Sequence, residues 1–431
     1  MAFRAGIDRL RHRLGTVPGL LTAMAVALVV VGLVFGLVGW LAVQRRTALV
    51  RDIGEFSGPL SVHAQQLYRS LSDADATAAA AFLTDGVEPP ELRQRYLDDM
   101  AQATSSLSVA QRDADGRGAE SLTVLVAQLP IYAGLIETAR TYNRQGLPLG
   151  GGYLRQASAL MRETLLPAAK ELLAAETDRL VAAQRDAAGF PWGIVLLGVV
   201  MLVALVAAQV LMTRSTNRVV NPGLVAATLA AALALGWASV ALVAAGDRVE
   251  GGRTEGSALV KLLAEARVAA AEARADEALT LIARGDGARY DTEFGQAFDR
   301  LVGTDGSGGL LGRAHAMAAT PSDRAVVAEA QGHARRWHAV HQEVRDLDSA
   351  GRYVDAVRLA VDPGADTATA LFTALDTAIG KGIAAADLRF DEHADGAAGA
   401  LTGAEVAVVL LTVLLVAGVA VGMYPRIGEY R

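Results

Sequence analysis

Apolar residues fill four stretches of the chain. Val17 to Val43, Gly189 to Thr213 and Val219 to Gly246 contain no ionisable side chain, and Val406 to Pro425 is a fourth uncharged run. Each reaches the roughly 20 residues that a helix needs to cross a hydrocarbon core. Trp40, Trp192 and Tyr424 lie near stretch ends, where amphipathic rings favour the membrane interface. Asn221 followed by Pro222 predicts a helix cap and a first-turn proline, which fixes the start of the third span. Between the first and second stretches, and again between the third and fourth, long Ala/Leu-rich segments show helical periodicity. The chain therefore reads as one unit written twice. The first stretch exceeds the roughly 7–15 apolar residues of a signal-peptide core and runs on to Arg45 and Arg46 without a small-residue cleavage site, so it is read as a retained anchor.

The first long segment divides at clear punctuation. Helices are expected from about Thr47 to Leu83, from Glu91 to about Arg112, from just after the break Asp113 to Gly116 as far as Gln145, and from the glycine-rich turn Gly146 to Gly152 onward into the second span. In the last of these Leu154, Ala157, Met161, Leu165, Ala168, Leu172 and Ala175 recur at three- and four-residue intervals, a core stripe that needs partner helices. The pattern predicts one helix running from about Leu154 through Leu211, with a bend at Pro167. The second segment echoes the first: Ala80 to Leu83 against Thr280 to Ala283, Ser158 to Met161 against Thr369 to Phe372, and Lys170 against Lys381. The order and spacing of these echoes point to duplication.

The expected fold is all-α, with four transmembrane helices and two tandem extracytoplasmic up-down four-helix bundles. In detail, 1–16 is a cytoplasmic amphipathic segment, 17–43 the first span, 44–188 the first bundle and 189–213 the second span. Residues 214–220 then form a cytoplasmic turn, 221–246 the third span, 247–400 the second bundle, 401–424 the fourth span and 425–431 a cytoplasmic tail.

Charge sets the orientation. Arg4, Arg9, Arg11 and Arg13 precede the first span against Asp8, Arg214 and Arg218 lie in the central turn with no acid, and Arg426 and Arg431 stand in the tail against Glu429. Over the whole chain acids outnumber bases, 46 to 40, so the negative charge belongs to the two long segments. The positive-inside rule then places both termini and the turn in the cytoplasm of a bacterial plasma membrane and both segments outside, although Arg45, Arg46 and Arg51 follow the first span on the outer side. Arginine far outnumbers lysine (Lys170, Lys261 and Lys381), a bias of GC-rich bacterial genomes. There is no cysteine, which removes disulfides, thiolate metal sites and a Cys nucleophile.

Candidate chemistry is sparse. His333, His338 and His341 lie on one predicted helix, but their spacing does not bring all three to one face, and the expected reading is a solvated helix surface with no metal. Glu405 marks the outer edge of the fourth span, where it can reach water. Arg93, Arg95 and Tyr96, with Arg140, Tyr142 and Arg144, place guanidinium groups beside rings in a manner suited to a carboxylate, although ordinary amphipathic faces look the same. Phe3, Ile7, Leu10 and Leu14 share one helical face, which suits the anionic inner leaflet. No phosphate-cradling loop, nucleophile elbow or zinc-protease motif occurs, and no cofactor, nucleic-acid partner or enzymatic activity is expected.

The stretch Gly152 to Leu172, with its weaker partner Ala368 to Ile383, resembles the four-helix sensory module of chemoreceptors and histidine kinases. The chain lacks their cytoplasmic signalling parts. In span count, spacing and size it is similar to the four-span actinobacterial GlnX family. That resemblance implies a non-enzymatic relay of extracytoplasmic amino-acid status from a solute-binding lipoprotein, GlnH, to a cytoplasmic Ser/Thr protein kinase, PknG. It assigns no binding residue. The bilayer is a partner in either case, a homodimer is compatible with the pattern, and the competing expectation is a scaffold or accessory subunit of a transport or envelope complex.

Overall fold

The computed structural model describes residues 17–84, 88–113, 118–216, 221–283, 287–362 and 364–428. The amphipathic segment 1–16, Arg218 in the central turn, Asp85 to Val87, 114–117 and Glu429 to Arg431 lie outside the described residues. The described chain is all-α, with no strand. In order, the helices are α1 (Val17–Asp52), α2 (Gly58–Phe82), α3 (Pro90–Asp113), α4 (Ala119–Arg144), α5 (Leu149–Leu160), α6 (Leu166–Ala188), α7 (Trp192–Thr216) and α8 (Pro222–Gly251). They continue with α9 (Ala258–Ile282), α10 (Ala288–Val302), α11 (Gly309–Met317), α12 (Pro321–Ser349), α13 (Tyr353–Val361), α14 (Ala368–Leu401) and α15 (Ala404–Gly428).

Five helical runs are long and apolar enough to cross a membrane. Gly19–Phe82, Leu149–Arg214, Pro222–Ile282 and Ala368–Pro425 contain the four apolar stretches. The fifth, α4, buries Leu122, Leu125, Leu129, Tyr132 and Ile136 in a helical core, which accounts for its hydropathy.

The expected unbroken helix from Leu154 to Leu211 is corrected twice. Met161–Leu165 is a π-helical turn just before Pro167, so the proline's missing N–H is absorbed by a wider turn. The helix then stops at Ala188 and restarts at Trp192, because Pro191 disfavours helical backbone at Phe190. A matching interruption separates α14 from α15 at Gly403, whose φ of 78° suits glycine alone. The opposite junctions, from α1 to α2 and from α8 to α9, are bridged by π-helical turns at Ile53–Ser57 and Gly252–Ser257.

The chain forms two compact units. One holds α1, α7, α8 and α15 with the adjoining ends of α6 and α14. Its helices meet through glycine. A Cβ on Gly36 would lie 2.3 Å from Thr412, and one on Gly223 would lie 2.5 Å from the Gly422 backbone. Gly32 and Gly36, like Gly418 and Gly422, are four residues apart, the small-residue spacing by which membrane helices approach closely. Asn221 Oδ1 accepts from the Gly223 and Leu224 amides, the cap expected for α8, while its amide donates to the Gly422 carbonyl at 2.7 Å. Gln209 donates to Thr228 at 2.7 Å, joining α7 to α8. Leu20, Val30, Leu37, Leu196, Val203, Val240 and Val413 are exposed, an apolar surface suited to lipid.

The other unit contains 53–183 and 251–392, so both long segments pack into it. Each keeps its own core. In the first, α2 to α6 enclose Leu67, Leu71, Leu125, Tyr132, Ile136, Leu154, Met161 and Leu172. In the second, α9 to α12 and α14 enclose Leu263, Phe294, Phe298, Leu311, Trp337, Phe372 and Leu375. The second segment adds two short helices to the four-helix plan. α11 follows a loop in which Gly303 and Gly306 have φ of 76° and 71° and opens on Gly309 at 60°, and α13 follows Gly351 at 75°. The segments meet where α2 packs on α9 through alanines, with Ala76, Ala79, Ala271, Ala275 and Ala278 in the contact. Alanine lets two backbones approach at no cost in rotamer entropy.

Candidate functional site

From Ser70 to Ala81 every residue of α2 is buried, a consequence of packing between its own segment and α9. Two carboxylates lie in that stretch, Asp73 and Asp75. A buried charge must find partners or give up its charge.

Asp75 is 3% exposed and accepts from Ser158 at 2.9 Å and Tyr132 at 3.3 Å. Its other oxygen lies 3.9 Å from Arg162 Nε. Arg162 stands in the π-helical turn Met161–Leu165, and the same guanidinium holds Asp276 of α9 and, at 3.0 Å, Glu293 of α10. One cation therefore joins carboxylates of three helices across the seam. Burial raises Asp75 above the usual carboxylate range despite Arg162, Ser158 and Tyr132. Burial also pushes Asp276 up to about 7, against the pull of Arg162. Arg162 faces three carboxylates, and because Glu293 also accepts from Arg289 at 2.7 Å, Asp75 and Asp276 are the two that depend on it.

Further along α9 lies a second network. Glu277 is fully buried and accepts from Arg274 and, at 3.3 Å, from Trp337 Nε1. His341 Nδ1 lies 3.2 Å from Glu277, and its Nε2 lies 3.2 Å from Asp291. Burial alone would raise Glu277, but His341 and Arg274 outweigh it and hold the carboxyl below its usual value. The expected solvated histidine surface is thus corrected at one position. His341 is 4% exposed and stacked 3.5 Å from Phe294, while His338 stacks on Phe298 and Arg335 and Arg336 are exposed. Among the described residues no group of three acids or histidines has the arrangement of a metal site.

The arginine–tyrosine groups take up separate places. Arg140 lies 4.2 Å from the centre of the Tyr96 ring and bonds Glu88 at 2.9 Å and Glu137 at 2.8 Å, so its charge is committed. Arg93 joins the same glutamates, and with Arg140 and Arg144 it lines a cavity of about 300 Å³ between α2, α3, α4 and α5. Tyr142 stacks on Tyr153 with ring centres 5.4 Å apart. Arg95 faces elsewhere, into a cavity of about 460 Å³ lined by α2, α3, α9, α13 and α14. Glu405 accepts from Gln44 at 3.3 Å.

These helices carry a family signature. Residues 49–185 match the actinobacterial sensor domain. The match spans α2 to α6, and with them Asp73, Asp75, Arg95, Arg140 and Arg162 of the sensor domain. Comparison with curated proteins and with solved structures gave no match.

Sequence reading passed over Asp75, Arg162, Asp276 and Glu277. A signal was present: in α2 and α9 acids interrupt runs of alanine with no polar face to hold them, as in Asp73-Ala74-Asp75-Ala76 and Ala275-Asp276-Glu277-Ala278. Acids on a helix with no polar side must be buried.

Proposed function

We propose that the chain is a non-enzymatic transmembrane signal relay. It reads extracytoplasmic amino-acid status through a solute-binding lipoprotein and passes it to a cytoplasmic Ser/Thr protein kinase, as the GlnX-like layout implies. The observation that carries this reading is the sensor-domain match at 49–185, on a chain whose long apolar helices are suited to a membrane. The seam around Arg162 supports it, because carboxylates of three helices converge there on one guanidinium, so a ligand or protein that favours one packing of those helices would act on all three. The signal would leave through α1–α2 and α8–α9, whose junctions stay helical, rather than through the interrupted α6–α7 and α14–α15 junctions.

In-cell crosslinking from the two long segments and from the 213–221 turn tests the relay. A lipoprotein captured outside and a kinase captured inside are the expected partners. Capture of transporter or envelope subunits alone would replace the relay with the scaffold reading.

A further inference from the structure

The cavity that receives Arg95 is built from both long segments, α2 and α3 on one side and α9, α13 and α14 on the other. Its volume, about 460 Å³, falls at the small-ligand end of the range for binding pockets, roughly 300–1,000 Å³. Four of its polar side chains have capacity left for a ligand: Asp73, Thr77, Arg95 and the exposed Glu91. Asp73 is 3% exposed, accepts from Arg69 Nε at 3.3 Å through Oδ2, and has no hydrogen-bond partner at Oδ1. Thr77, one turn further along α2, is 6% exposed, and its hydroxyl makes no hydrogen bond among the described residues. Arg95, half-buried on α3, makes no direct hydrogen bond or ion pair among the described residues, and its charge acts on Asp73 and Asp99. Arg274 also lines the cavity but is engaged by Glu277, Thr369 and the Ala360 carbonyl. Leu92 and Phe372 supply apolar wall.

Two acids, a hydroxyl and a cation with open capacity in one small cavity constrain the ligand. An anion alone would meet the buried Asp73 carboxylate, and a cation alone would meet the Arg95 guanidinium. A molecule carrying both charges satisfies both walls, and its remaining atoms can take up the apolar side. We propose that this cavity binds one free α-amino acid, with its ammonium on Asp73 and Thr77 and its carboxylate on Arg95. The proposal deepens the sensory reading and rests on it for its consequence: a ligand held by both segments tightens the seam between them. Burial, with the nearby Asp376 charge, raises Asp73 above the usual carboxylate range despite Arg267, Arg69 and Arg95, and a ligand ammonium adds counter-charge beside it.

The test is isothermal titration of the full-length chain in lipid nanodiscs with each common L-amino acid, with the matching amines that lack the carboxylate, and with the N-acetyl amino acids. At least one amino acid is expected to bind and raise Tm, and its amine and N-acetyl forms to bind at least about tenfold more weakly. Asp73→Asn and Arg95→Gln should each weaken binding by at least about tenfold, while Arg335→Gln, on the exposed face of α12, leaves it unchanged. Arg95 is half-buried and unpaired, so Arg95→Gln keeps the test valid if Asp73→Asn fails to fold. Binding by no amino acid, equal binding of the amines, or undiminished binding by Arg95→Gln would each overturn the proposal. If no amino acid binds while lipoprotein and kinase crosslinks form, the site falls and the relay stands. Binding without either crosslink sinks the relay and keeps the site.

Discussion

The central helices α2 and α9 hold like places in their segments, yet they manage buried charge in opposite ways. α9 compensates Glu277 itself: Arg274 lies three residues away, and Trp337 and His341 complete the set from α12, while its Asp276 depends on Arg162 as Asp75 does. α2 carries two acids and no buried cation of its own. Asp75 relies on Arg162 from the π-helical turn before α6, and Asp73 keeps an oxygen unpartnered. The carboxyl of Glu277 is accordingly held down, while those of Asp73 and Asp75 are pushed up. The echoed positions Ser158 and Thr369 show the same contrast, since one donates to an acid of α2 and the other accepts from an arginine of α9. A closed network fixes one packing of its helices. An open one leaves room for a proton, a ligand or a second arrangement.

Breaking the closed network should have the largest effect. Glu277→Ala leaves Arg274 buried without its counter-charge and should destabilise the fold by about 3–5 kcal/mol, read as a large fall in Tm of the full-length chain. Little change would mean that α9 is not the rigid partner. Arg162→Met should cost less, about 1–3 kcal/mol, because Asp75 and Asp276 can take up protons when the guanidinium is gone. That loss should deepen as pH rises, and a pH-independent loss would refute that account.

The open network also sets the pH dependence of the wild-type chain. Burial pushes Asp276, and burial with the nearby Asp73 charge pushes Asp99, each up to about 7. A carboxyl with a raised folded pKa binds its proton more tightly in the folded state. Stability from these groups is therefore full below the unfolded carboxylate pKa near about 4 and is lost as pH rises through about 7. Thermal melts across that window should show Tm falling by a few degrees with rising pH, and Asp276→Asn or Asp99→Asn should flatten the slope. Glu277 runs the other way, since its lowered pKa means its contribution is lost only as pH falls below the usual carboxylate range. The smallest effect is expected from Ser158→Ala, which removes one hydrogen bond to Asp75 and should cost about 0.5–1.5 kcal/mol. A cost equal to that of Glu277→Ala would erase the distinction between the two helices.

Much of the architecture was legible along the chain. The uncharged stretches, the Asn221–Pro222 start of α8, and the breaks near Asp85 and Gly146 all follow from local chemistry that acts within one helical turn. Local rules stopped at long-range contacts. Nothing near Pro167 announces that a π-helical turn will absorb it and present Arg162 to three helices. His341 looks like any polar helix position until Glu277, Asp291 and Phe294 close around it. The glycine pairs Gly32/Gly36 and Gly418/Gly422 carry a readable spacing, but only the packing shows which helix each pair meets.

By itself, then, the sequence determined which segments are helical and which are apolar enough for a membrane, because hydropathy and helix caps are properties of neighbours in the chain. The tertiary structure decided that α2 and α9 lie side by side, that Arg162 serves acids of both segments, and that Asp73, Thr77 and Arg95 open into one cavity. Those outcomes depend on how Ala-rich surfaces with almost no distinguishing features pair in space. An alanine stripe specifies close approach without naming its partner, and the choice is made by the few charged side chains that burial forces to find one another.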